Sequence, residues 1–87
     1  PQLNNIAEGI LYHHEWWDGS QGYPQQLKGE EIPLIARIIN VVNYYDKLTH
    51  YHPGMETVSK EEAKKSLQKK AGTQFDPEIV DVFLKTV

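Results

Sequence analysis

The sequence of 87 residues contains no cysteine. Disulfides and thiolate metal sites are therefore excluded, and any metal bound by the chain must be held by imidazole nitrogen and by oxygen. That donor set suits iron, manganese, zinc or nickel better than copper(I). A basic cluster is missing too. Nine Lys and Arg face twelve Asp and Glu, for a net charge of −3, which argues against a nucleic-acid polymer as partner. No apolar run approaches the length of a membrane span and no signal peptide is visible, so the chain reads as cytoplasmic with no membrane span. It opens on Pro1 rather than methionine, which reads as a portion of a larger protein. What remains is 39% hydrophobic and 24% charged, suited to one small domain with a single modest core.

Helical periodicity organises most of the chain. Leu3, Ile6, Ala7, Ile10, Leu11 and His14 recur at three- and four-residue steps and predict a helix over 3–16, with Asn4 or Asn5 as N-cap. Gly9 weakens its interior. Asp18-Gly19 breaks it, and Gly22, Pro24 and Gly29 carry a turn-rich loop to about Glu31. A second helix follows from Pro33 to near Thr49. Leu34, Ile38, Val41, Tyr45 and Leu48 form one apolar stripe, and Ile35, Ile39 and Val42 a second, which implies burial on more than one side. Ser59 with Glu62 is a capping box for a third helix that closes at Gly72. Asp76-Pro77 opens a fourth, with Val80, Phe83, Leu84 and Val87 facing inward. The predicted architecture is all-α: four helices and one long structured loop.

Chemistry concentrates in one stretch, His13-His14-Glu15-Trp16-Trp17-Asp18-Gly19-Ser20-Gln21-Gly22-Tyr23-Pro24. Adjacent histidines on a helix point about 100° apart, so a shared metal must sit across the face between them. The plainer reading makes His14 a core histidine and His13 a surface one. Against it stand Glu15 and Asp18, which follow at once, and Asn43 and Asp46, which interrupt the apolar second helix. A helix that spends an apolar face on such residues usually has something to ligate or hydrogen-bond. A zinc-protease HExxH motif is broken, because Asp18 stands where its second histidine belongs. Gly22-Tyr23-Pro24 reads as a turn with an aromatic plug, and the two tryptophans as core or interface anchors.

Together these residues resemble the HD-GYP family, the bacterial cyclic di-GMP phosphodiesterases of the HD phosphohydrolase superfamily, whose signature is HHExxDGxGYP. Leu27-Lys28-Gly29-Glu30-Glu31-Ile32-Pro33-Leu34, then Ala36-Arg37-Ile38, and later Ala71-Gly72-Thr73-Gln74-Phe75-Asp76-Pro77 are similar to its continuation. The likeness covers nearly the whole chain and implies the C-terminal portion of a single domain over 1–87. It also implies that His13 and His14 are metal ligands, with Asn43 at the position of a third, acidic one. The metal implied is a divalent transition ion, iron or manganese, in the intact domain. Asp18, Gly22, Tyr23 and Pro24 would face the substrate, with Tyr23 and Pro24 contacting a nucleotide base or a partner domain. The partners implied are a cyclic dinucleotide, cleaved to pGpG or GMP, and a diguanylate cyclase domain at the Gly-Tyr-Pro loop.

The departures from the family pattern are specific. No His-Asp doublet occurs in the chain, Gln21 lengthens the signature by one residue, and His52-Pro53-Gly54-Met55 replaces an Arg-Pro-Tyr-Arg stretch that holds substrate phosphates. A neutral amide at Asn43 neutralises no cation. The expectation is therefore a metal-dependent phosphodiesterase portion without appreciable hydrolysis as an isolated chain. The alternatives are a non-catalytic signalling and interaction module, or another HD-superfamily nucleotide phosphohydrolase. Self-association through the doubly apolar second helix is also expected.

Overall fold

Apolar residues on more than one side of the second helix make it the element that the others pack around. The computed structural model describes residues 2–50, 53, 54 and 56–87. Its helices are α1 (Gln2–Tyr12), α2 (Leu34–Thr49), α3 (Lys60–Lys70) and α4 (Pro77–Thr86), with a short 3-10 turn at Gly29–Glu31 inside the long loop. Helix α2 contacts all three others, and α3 also touches α4. Among the described residues there is no β-strand, and no helix is long and apolar enough to cross a membrane.

The core is built on one flank of α2. Val41 and Tyr45 meet Ala63 and Leu67 of α3, Phe75 of the α3–α4 turn and Val80 of α4, all buried. Phe75 is 1% exposed and takes ring contacts from Tyr44, centroid to centroid at 5.0 Å. Tyr45 meets Phe83 edge-on at 5.1 Å. Such tilted and edge-on aromatic pairs add to the burial that drives this packing.

The opposite flank of α2 receives α1, and Gly9 sets the distance. A Cβ at Gly9 would lie 2.6 Å from Ile35 Cγ2 and 3.2 Å from Ile39 Cδ1. The missing side chain thus lets two isoleucines of α2 press against the α1 backbone. What looks in sequence like a weak helical position is a packing contact. The two apolar stripes are not buried along their full lengths, however. Leu34, Ile38 and Val42 are 55%, 40% and 42% exposed, and Ile6, Ile10 and Leu11 of α1 are similarly open. Val87 is 43% exposed rather than inward-facing.

The helix ends follow local chemistry. Ser59 Oγ accepts the Glu62 N–H at 3.1 Å, and Asp76 Oδ1 accepts the Glu78 N–H at 2.9 Å. These bonds satisfy N–H groups that have no partner within the first turn. Helix α1 stops at Tyr12, four residues earlier than its apolar period suggests. The period survives in His14 while the backbone has already turned.

Asp76 does more than cap. It is 4% exposed, and its Oδ2 accepts from Arg37 Nη1 at 2.8 Å. Arg37 Nε also donates to the Ile32 carbonyl at 3.0 Å, and its guanidinium lies 5.8 Å from the centre of the Trp17 ring. One side chain therefore ties the start of α2 to the start of α4 and to the signature loop. Removing one partner of a buried pair strands the other charge. Asp76→Ala is expected to lower stability by about 3–5 kcal/mol, read as an earlier midpoint in urea unfolding. An unchanged midpoint would contradict this role.

Candidate functional site

The loop after α1 is shaped from inside by Glu15. This residue is 1% exposed. Its Oε1 accepts the backbone N–H groups of Gln25 and Gln26 at 3.0 and 3.1 Å, and its Oε2 accepts that of Leu27. A buried carboxyl needs such donors, and three successive amides supply them. The segment carrying Tyr23 and Pro24 is thereby folded back over the end of α1. Asn40 of α2 donates from Nδ2 to the Glu15 carbonyl at 3.2 Å, fixing the same residue from the other side.

Gly22 closes the arrangement. It sits at φ +91°, and a Cβ there would come within 2.8 Å of Trp16 N and 2.9 Å of Glu15 Cα, and nearer still to the His14 carbonyl oxygen. Both the left-handed backbone and the close approach require glycine. Beyond it, the Tyr23-Pro24 bond is cis, and the Tyr23 ring stacks on His14 with centroids 4.7 Å apart and planes 21° apart. The far edge of the loop is tied to the α3–α4 turn, where Trp17 and Asp18 donate their N–H groups to Gln74 and Thr73 carbonyls. Gly29 returns its own N–H to Trp17 O at 2.7 Å.

His13 and His14 lie in the turn after α1, not on a continuing helix as the apolar period suggests. The turn brings their rings together, centroids 3.9 Å apart, where consecutive helical positions would splay them. His13 Nδ1 faces the Ile10 carbonyl at hydrogen-bond distance, which directs Nε2 outward. Burial pushes the His14 pKa below its ordinary value, and the charges of His13 and Lys47 push the same way. Both rings line a cleft of about 310 Å³ with Asn40, Asn43, Tyr44 and Lys47 of α2 and with Gln74.

The residues singled out in the sequence thus divide. His13, His14 and Asn43 share the cleft, Tyr23 stands on His14, and Pro24 is exposed beside Tyr23. Asp18 does not line it. Its Oδ1 instead accepts both the N–H and the hydroxyl of Ser20, at 2.9 and 2.7 Å, which hold its carboxyl below the usual carboxylate range. Asp46 pairs with His50 at 3.0 Å on the exposed side of α2. His52 and Met55 lie outside the described residues. Among the described residues no group of three or more His, Asp or Glu is placed to hold a metal ion. The residues that sequence reasoning passed over are Asn40, Tyr44, Lys47 and Gln74. The first three were readable from their spacing, since 40, 43, 44 and 47 share one helix face.

Comparison with known proteins shows the family of the chain. The family model described as "HD domain" matches residues 1–79. A "probable cyclic di-GMP phosphodiesterase" of Vibrio cholerae serotype O1 is 46% identical over 83 residues, covering 94% of this chain and 19% of that protein. A cyclic di-GMP phosphodiesterase of Thermotoga maritima is 40% identical over 85 residues, or 98% of this chain and 23% of the relative. A crystal structure of a cyclic GMP-AMP specific phosphodiesterase of Vibrio cholerae superposes with a TM-score of 0.81 at 36% identity, over 94% of this chain and 18% of that one. The chain spans about a fifth of the length of the relatives it matches.

The environment of His14 has a measurable consequence. In the metal-free protein its imidazole should titrate below the ordinary value of 6.5. Its contribution to stability is then complete above pH 6.5 and is lost as the pH falls below that value, because the unfolded chain takes up the proton first. An NMR titration midpoint at or above 6.5 would contradict the placement of His14 against His13 and Lys47.

Proposed function

The chain belongs to the HD domain family and carries the HD-GYP signature, and from that premise we propose that it is the C-terminal portion of a single metal-dependent phosphodiesterase domain for cyclic dinucleotides, cyclic di-GMP first among them. The observation that carries this reading is the cleft itself. Two imidazoles with ring centroids 3.9 Å apart and Asn43 of α2 line it, beside the exposed ring of Tyr23.

The donor set fits part of a divalent metal site. His13 has the arrangement metal-binding histidines commonly adopt, one ring nitrogen fixed by a backbone carbonyl and the other left to coordinate. The downward shift of the His14 pKa favours the neutral imidazole that a ligand needs. Asn43 offers an amide oxygen from α2. We assign these three as ligands of an iron or manganese ion in the intact domain. Bound there, the cation supplies Lewis-acid polarisation of a phosphoryl oxygen and a lower pKa for an attacking water.

The chain's own residues do the rest of the work. Tyr23, 59% exposed, presents a ring face for stacking a nucleotide base, with Pro24 beside it, and Gly22 holds that turn against the His14–Trp16 backbone. Asp18 braces the entry to this turn through its bonds to Ser20. Such a domain would act in the cytoplasm.

A second reading, a non-catalytic signalling module, is favoured by the neutral Asn43 and by the want of a third acidic or histidine ligand among the described residues. In that reading the Tyr23–Pro24 turn is an interaction surface, for instance for a diguanylate cyclase domain. The open Leu34, Ile38 and Val42 stripe would serve self-association.

Metal analysis separates the two. The purified protein should hold manganese or iron(II), and His14→Ala should weaken that affinity by more than the 10- to 100-fold (roughly) that loss of an outer-shell partner costs. The isolated chain should not turn over cyclic di-GMP appreciably. A protein that binds no transition metal, or binds it equally well without His14, would overturn the metal-dependent reading.

A further inference from the structure

Lys47 is the one lysine or arginine on the wall of the cleft among the described residues, and no carboxylate lines the cleft with it. The lining consists of two histidines, Asn40, Asn43, Tyr44, Gln74 and Lys47. The acidic groups nearest in the chain are turned elsewhere: Glu15 faces the amides of residues 25–27, and Asp46 pairs with His50. Among the described residues Lys47 forms no ion pair of its own, and it is exposed, free to extend across the opening.

We infer that the cleft is an oxyanion site in its own right, in which Lys47 is the specificity-determining contact for a phosphodiester group. The α2 face presents donors in register: the amide of Asn43 and the Lys47 ammonium one turn beyond it, while the Asn40 amide is held by the Glu15 carbonyl. Gln74 supplies another amide from the opposite wall. Neutral donors around a single ammonium form a setting that attracts an anion. A metal held by the two histidines would add positive charge and strengthen the same preference. This deepens the reading above and rests on it only for which cleft receives the substrate.

The test uses the 87-residue protein with cyclic di-GMP as probe, in EDTA, by calorimetric titration across a range of salt concentrations. Wild-type protein should bind without metal and lose affinity as salt rises. Lys47→Gln should weaken binding about tenfold, at the low end for a charge-assisted contact, and flatten the salt dependence. Lys47→Arg should restore both. Because Lys47 is exposed, the thermal unfolding midpoint of Lys47→Gln should match wild type. Manganese binding, measured separately, should persist in Lys47→Gln, so failure of the metal reading would show there and leave the anion result intact. Absence of metal-free binding, or equal affinity and salt dependence in Lys47→Gln and wild type, would overturn the inference.

Discussion

The carboxyl of Glu15, buried and bonded to three successive backbone amides, is the interaction on which the rest of the site depends. Removing a carboxyl from water is costly, and the cost is met only if donors are delivered to it. The loop must therefore fold back so that residues 25–27 reach it. That fold-back sets the Tyr23 ring on His14 and leaves Gly22 so close to the chain of residues 14–16 that no side chain fits. Glu15 lies beside two candidate metal ligands, yet its own role is to hold shape.

The scaffold beneath this loop is α2, used on several sides. One flank builds the core with α3 and α4 through Val41 and Tyr45, and another receives Gly9 of α1. A third face, Asn40, Asn43, Tyr44 and Lys47, forms the cleft wall. Arg37 links the helix to Asp76 and reaches Trp17, so that core and loop share one fixed frame. The functional face and the packing faces are thus on one helix.

Much of this was legible in the sequence, for physical reasons. Ser59 and Asp76 announce helix starts because their short oxygens satisfy orphan amides, and Val41 with Tyr45, Ala63 with Leu67, and Val80 with Phe83 repeat at the helical period. The end of α1 was not legible, since His14 continues the apolar rhythm although the backbone has turned. The expected splay of His13 and His14 failed with it. Glu15 was seen as one more acid in a candidate site, because nothing in a one-dimensional pattern shows that its partners are amides ten to twelve residues away. Lys47 shares its spacing with Asn40, Asn43 and Tyr44, but nothing in the linear pattern shows that this face lies opposite the histidines.

The account stands most directly on Glu15, and amide hydrogen exchange in Glu15→Gln tests it. One acceptor oxygen becomes an amide donor facing backbone N–H groups, so protection at Gln25, Gln26 and Leu27 should fall, and the contact between Tyr23 and His14 should be lost from the NMR spectrum. Protection in α2, α3 and α4 should remain. Wild-type protection at residues 25–27 together with an intact Tyr23–His14 contact would contradict the claim that this carboxyl organises the site.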